Sequence, residues 1–141
     1  MRLTFFGLGL ALVIAGAFSA QTTITAQEPA VRTTLVIAGA NNFAQYCVAC
    51  HGNDAKGTGT LAATLKPKPA DLTLLASRNG GTYPRDLVLQ VIDGSKKVKG
   101  HGGGDMPAWG EAFRAVAGSN DAEAIRRIES LADYLETKQV K

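Results

Sequence analysis

The five residues 47–51, which read C-V-A-C-H, constrain this chain more than any other part of its sequence. They contain both of its cysteines and one of its two histidines. Helical periodicity predicts that residues 39–51 form one helix, on which residues three and four apart are neighbours. Cys47, Cys50 and His51 then project from one face of that helix. The fold therefore has to present two thiols and an imidazole together to a single partner.

The spacing C-x-x-C-H is typical of a covalent attachment site for haem c. Cys47 and Cys50 can bond to the two vinyl-derived carbons at one haem edge, and His51 is predicted to be the proximal ligand of the iron. A zinc site needs four ligands with a close histidine pair, whereas His51 and His101 are fifty residues apart. A thioredoxin-like motif needs a βαβ context, which the sequence lacks. A structural disulfide stays an alternative, although this spacing within a helix closes one poorly.

A second iron ligand is predicted at Met106, the only methionine besides the initiator. It lies in the sequence G-G-G-D-M-P of residues 102–107. The glycines let the backbone run close to a flat macrocycle, and Pro107 stiffens the chain after the sulfur. Ligation by His and Met leaves no vacancy for a substrate and raises the reduction potential, whereas an open iron would imply gas binding or peroxidase chemistry. The alternative distal ligands are His101 and then Lys96, Lys97 and Lys99.

Residues 1–20 have the composition of a secretory signal. Arg2 supplies a positive start, residues 3–18 are almost entirely apolar, and small residues follow. The apolar run is a little short for a membrane span, so cleavage is favoured over retention as an anchor that faces the periplasm. Either outcome predicts export to the periplasm, where disulfides are permitted. Residues 21–34 are predicted to be a flexible leader, and residues 35–141 to be the folded domain.

The remaining composition excludes one class of partner and leaves the core short of bulky side chains. The chain has 15 basic and 12 acidic residues, a formal net charge of +3, without the concentrated basic face that nucleic acid requires. Aromatic residues make up only 6% of the chain. A buried porphyrin would supply the missing core volume.

The rest of the sequence predicts an all-α fold. An apolar stripe predicts a helix over residues 84–93 that ends at Gly94, and a short helix is predicted over residues 109–117. Asn120 and Glu123 form the pattern of a capping box before a last, clearly periodic helix. Residues 53–78 and 95–107 are predicted to be loops, the first with at most a short helix near residues 61–65. No segment shows the alternation of a strand.

These motifs resemble the small monohaem class I cytochromes c of bacteria. The matching segments are G-x-x-x-F-x-x-x-C-V-A-C-H-G at 39–52, P-x-P-A-D-L at 67–72, M-P-A-W at 106–109 and L-x-x-Y-L at 131–135. The resemblance implies a cytochrome c fold of three to five helices around one covalently bound haem. It implies a near-perpendicular crossing of the first and last helices, where Gly39 and Phe43 meet Leu131 and Tyr134. It also implies that His51 donates its outer N–H to a backbone carbonyl within residues 67–69, and that Trp109 lies near the haem or fills the core.

The function expected from these features is single-electron transfer by Fe(III)/Fe(II) cycling, not catalysis of bond chemistry. The expected partners are a terminal oxidase, a quinol-oxidising complex or a dehydrogenase, met as a free carrier or as the electron-transfer subunit of a larger oxidoreductase. Lys96, Lys97 and Lys99 form either a docking site for an acidic partner or a solvated loop. The competing hypotheses are a haem-based sensor or peroxidase-like protein with a labile distal ligand, and a haem-free thiol–disulfide protein.

Overall fold

A computed structural model describes residues 27–96 and 106–140, and within these ranges every regular element is helical. The all-α prediction is therefore confirmed for the described residues. The described residues form six α-helices, whereas the family resemblance implies three to five. The higher number arises because two of the six are single turns of four residues. The elements are α1 (Gln27–Tyr46), α2 (Val48–His51), a 3₁₀-helix η1 (Leu72–Leu74), α3 (Leu75–Arg78), α4 (Arg85–Asp93), α5 (Trp109–Val116) and α6 (Asp121–Thr137).

The most extensive contact between elements joins α1 and α6. Gly39 lies so close to the Ser130 carbonyl and to Tyr134 that a side chain at this position would overlap them. Phe43 is 2% exposed, and its ring centroid lies 5.4 Å from that of Tyr134. The Asn42 amide donates a hydrogen bond of 3.0 Å to the Ser130 hydroxyl. The expected contact of Gly39 and Phe43 with Tyr134 is thus present.

Helix α1 begins earlier than the sequence pattern predicts. Residues 27–34 are helical, although they fall within the segment predicted to be a flexible leader. Pro29 is compatible with this because a first helical turn does not need its missing N–H, and Glu28 suits the positive end of the helix. Arg32 also forms an ion pair of 2.6 Å with Glu136 near the end of α6. The ion pair is exposed and adds little by itself, so Glu28, Pro29 and this pair together outweigh a threonine-rich sequence of low helical propensity.

The long connection between α2 and α4 also differs from prediction. Residues 61–65 form turns without a helix, whereas η1 and α3 lie in the part predicted to be a loop. The start of η1 is capped by Asp71, whose carboxylate accepts hydrogen bonds of 2.8 Å from the Thr73 N–H and 2.6 Å from its hydroxyl. Elements of three and four residues are too short to produce a hydrophobic period.

The last three helices follow the predicted pattern closely. Helix α4 ends at Gly94, which adopts a φ of 90° and donates its N–H to the Gln90 carbonyl. The Asn120 side chain accepts a 3.2 Å hydrogen bond from the Glu123 N–H and so caps α6. The Glu123 carboxylate pairs with Arg126 and Arg127, so the capping box is only half formed. These helices complete one hydrophobic core with α1.

No described helix is both long and apolar enough to cross a membrane. The predicted signal segment, residues 1–20, lies outside the described residues, as do Lys97, Lys99 and His101. The predicted domain boundaries therefore stay predictions.

Candidate functional site

An apolar cavity lies at the centre of the fold and measures about 690 Å³ including its opening to solvent. Its walls come from all six α-helices, from η1 and from Cys47, Pro84 and Met106, which lie between helices. The lining residues are Phe43, Cys47, His51, Leu72, Leu75, Pro84, Leu87, Val88, Val91, Ile92, Met106, Trp109, Leu131 and Leu135.

The C-x-x-C-H segment forms the junction between α1 and α2. The Cys47 N–H donates to the Phe43 carbonyl at 2.9 Å, and the His51 N–H donates to the Cys47 carbonyl at 2.8 Å. The helical bonding thus continues past the break at Cys47 and keeps Cys47 and His51 on one side, where both line the cavity. Cys50 is partly exposed and does not line it.

Both cysteines are free thiols in this structure. Burial, and to a smaller degree the charge of Cys50, raises the pKa of the Cys47 thiol to about 12. Cys47 therefore stays protonated at neutral pH and is a poor nucleophile, because the thiolate is the reactive form. This is unlike the low-pKa cysteine of a thiol–disulfide enzyme.

The His51 side chain is 6% exposed, and its Nδ1 lies 3.3 Å from the carbonyl oxygen of Ala70. A carbonyl can only accept, so this contact assigns the proton to Nδ1 and leaves the lone pair on Nε2. A histidine that binds a metal through Nε2 has this tautomer, and its Nδ1–H commonly donates to a carbonyl. The hydrogen bond expected from the family resemblance is therefore present.

The acceptor itself differs from the one expected within residues 67–69. Gly57, with a φ of 78°, packs its backbone directly against the Pro69 carbonyl. That oxygen is thereby directed toward the neighbouring loop, and the next carbonyl, of Ala70, meets His51. The acceptor is therefore one residue further along the chain than the segment in which it was expected.

Met106 is partly buried and lines the same cavity as Cys47 and His51. The fold thus brings together three of the four site residues predicted from sequence. Lys96, which the sequence also allows as a distal ligand, is exposed and does not line the cavity. His101, Lys97 and Lys99, the remaining candidates for that ligand, lie outside the described residues.

The position of Met106 is set by contacts between α4 and α5. Gly94, at the end of α4, lies against Ala108, and Gly110 lies against Asp93. The Arg114 guanidinium bridges Asp93 at 3.1 Å and Asp121 at 3.2 Å. The two ends of the connection that carries Met106 are therefore held side by side.

Trp109 fills the core, which is one of the two roles expected of it. It lines the cavity, and it packs in the core with ring-centroid distances of 5.3 Å to Tyr46 and 5.6 Å to Phe113. Tyr46 completes this aromatic cluster at 5.1 Å from Phe113. The sequence marks Tyr46 only by its place beside Cys47, so its part in this cluster could not be predicted.

In the described ranges, no three His, Cys, Asp or Glu side chains come close enough to hold a metal ion by themselves. No known protein family, no curated protein sequence and no solved structure matches this chain. Function is therefore inferred from the residues of the cavity and their geometry.

Proposed function

We propose that this chain is a monohaem c-type cytochrome that carries single electrons between redox proteins of the periplasm. The observation that carries the proposal is the convergence of Cys47, His51 and Met106 on one apolar cavity. These residues are separated by up to 59 positions, yet the sequence pattern predicts for each a role at the same cofactor.

The residues present fit a covalently held haem c. Cys47 and Cys50 would attach it, His51 would bind the iron through Nε2, and Met106 would supply the second axial ligand. The assigned tautomer of His51 suits this role, and the leucine, valine and isoleucine side chains of the walls suit a hydrophobic macrocycle. When bound, the haem supplies the Fe(III)/Fe(II) couple.

The chain itself would determine how readily the electron moves. Binding of the iron by both His51 and Met106 would leave no position for a substrate, and a thioether ligand would favour the reduced state. The apolar walls limit access of water to the site and raise the potential further. Partners such as a terminal oxidase, a quinol-oxidising complex or a dehydrogenase would dock briefly, through a small and salt-sensitive interface.

The second candidate is a haem-based sensor or peroxidase-like protein. One observation favours it: Met106 is partly exposed, whereas His51 is buried. A sulfur ligand that dissociates readily would open an iron position to carbon monoxide or peroxide. The two candidate functions therefore differ in how strongly the Met106 sulfur would bind the iron.

The first experiment is expression of the full chain in a host that exports it and attaches haem c. The proposal expects a red protein whose haem stays with the polypeptide under denaturing conditions. A colourless protein with two titratable thiols would contradict the proposal and favour the thiol–disulfide hypothesis.

The second experiment tests the distal ligand with Met106→Ala. We expect the variant to lose the sulfur-to-iron absorption band, to bind carbon monoxide when reduced and to have a lower reduction potential. Val91→Ala is the control, because Val91 lines the same cavity without offering a ligand. An unchanged Met106→Ala spectrum would assign the ligand to His101, and rapid binding of carbon monoxide by the wild type would favour the sensor or peroxidase.

A further inference from the structure

Gln139, which follows α6, connects that helix to the cavity wall through three side-chain hydrogen bonds. Its Oε1 accepts from the Ala76 N–H at 2.9 Å. Its Nε2 donates to the Leu72 carbonyl and to the Leu135 carbonyl, both at 2.8 Å. The amide therefore uses its acceptor and both of its donors.

The next residue extends this connection with the backbone. The Val140 N–H donates to the Thr73 carbonyl at 3.0 Å. Residues 139 and 140 thus bind three positions of the η1–α3 segment, at 72, 73 and 76. This segment is too short to be held by helical bonding of its own, so its position depends on tertiary contacts, among them those with residues 139 and 140.

The segment held by Gln139 is the one that supports His51. Leu72 and Leu75 line the cavity, and Ala70, two residues before Leu72, provides the carbonyl that faces His51 Nδ1. On its other side the segment is anchored by the Leu72 N–H, which donates to the Ala55 carbonyl at 2.8 Å. Leu72 is therefore held at two backbone atoms: its N–H by the loop after His51, and its carbonyl by Gln139.

We infer that Gln139 is a positioning residue that acts on His51 through the Ala70 carbonyl; as far as the iron is concerned, this rests on the function proposed above. A strong Nδ1–H···O bond makes the imidazole a better electron donor to a metal, and an outer hydrogen bond of this kind depends on the placement of its acceptor. Loss of the Gln139 bonds lets Ala70 move away. The His51 ligand then becomes a weaker donor, which stabilises the oxidised iron less.

The test compares Gln139→Leu, which removes all three side-chain bonds at similar size, with Thr137→Ala. Thr137 is the matched control because its hydroxyl donates only to Tyr134 in its own helix turn. The first readout is the exchange rate of the His51 Nδ1 proton, measured by NMR in the haem-free chain and in the reduced, haem-loaded protein. We expect about tenfold faster exchange in Gln139→Leu, equivalent to the loss of one ordinary hydrogen bond, and no change in the control.

The second readout is the midpoint potential of the loaded protein, which we expect to rise in Gln139→Leu and to stay at the wild-type value in Thr137→Ala. Gln139→Ala removes the same three hydrogen bonds without adding a charge or the branched side chain of leucine, so it replaces Gln139→Leu if that protein does not fold. We expect its exchange rate and potential to change in the same direction as those of Gln139→Leu.

A variant that unfolds more easily but keeps the wild-type proton exchange and potential would overturn the inference, because Gln139 would then stabilise the fold alone. Failure of the chain to take up haem would contradict the proposed function and leave the NMR test of Gln139 intact. An unchanged potential in a loaded protein would reject the role of Gln139 and leave the proposed function standing.

Discussion

At the scale of single residues, Tyr83 provides a test of the pH dependence of stability. Its hydroxyl donates a 2.8 Å hydrogen bond to the Ala132 carbonyl, and burial, followed by the charge of Glu136, raises its pKa above the ordinary value of 10.0. The folded state thus favours the neutral phenol. This contribution is fully present below about pH 10 and is lost as the pH rises further, because the unfolded phenol ionises first.

We therefore expect Tyr83→Phe to lower the free energy of unfolding by about 1 kcal/mol at pH 8, through loss of the hydrogen bond. Between pH 8 and pH 11 the variant should lose less stability than the wild type, because it has no phenol at position 83 to ionise. Urea unfolding at the two pH values measures both effects. Parallel declines in the two proteins would show that Tyr83 does not titrate differently on folding.

The candidate site shows which single-residue features can be predicted from sequence. The placement of Cys47 and His51 along one cavity is predictable, because the motif is local and its helical spacing fixes a common face. The acceptor for His51 is not predictable, since it depends on how Gly57 packs against Pro69. The three hydrogen bonds of Gln139 are not predictable either, because all of them depend on where α6 places that residue.

At the scale of elements, prediction succeeds where a helix carries both an apolar stripe and an end signal. Helices α4 and α6 have both, and their ends at Gly94 and Asn120 match. The start of α1 lacks an apolar stripe because its first two turns are exposed, and only Glu28, Pro29 and the ion pair of Arg32 with Glu136 favour it. Elements as short as η1 and α3 are formed through tertiary contacts, so their sequences do not predict them.

The contact of α1 with α6 makes Gly39→Ala a sharp test of helix packing. Alanine favours a helix over glycine by about 1 kcal/mol, so helical propensity alone predicts a more stable protein. The added methyl group would instead overlap the Ser130 carbonyl, and overpacking of this kind costs about 1–3 kcal/mol or more. We expect a net loss of stability in chemical denaturation.

Ala44→Gly is the control for this substitution, since Ala44 is exposed on the same helix. It should cost only the difference in helical propensity, about 1 kcal/mol. A Gly39→Ala protein as stable as the wild type would mean that α1 and α6 can separate at no cost, contrary to the tight contact between them.

At the scale of the whole molecule, side chains from all six described α-helices line one apolar cavity. Protein interiors are normally packed as densely as organic crystals, so a group bound in this cavity would add contacts to the core. We expect haem loading to raise the midpoint of thermal unfolding by roughly 10 °C or more, because a loaded cavity regains apolar contacts throughout the core.

Circular dichroism during heating compares the loaded protein with the same chain expressed without haem attachment. The haem-free chain should also bind a hydrophobic dye at its cavity, and the loaded protein should not. Equal midpoints and no dye binding would indicate that the cavity collapses without cost, and would remove the need for a large apolar cofactor.

The pairing of α1 with α6 also sets an order in time. Asn42 and Ser130, which bond across this contact, are 88 residues apart. Synthesis proceeds from the amino terminus, so Cys47 and Cys50 emerge long before α6. Distant contacts of this kind form late in folding. The α6 wall of the cavity is thus its last part to form, and both cysteines pass through a stage in which they lie on a helix that α6 does not yet cover.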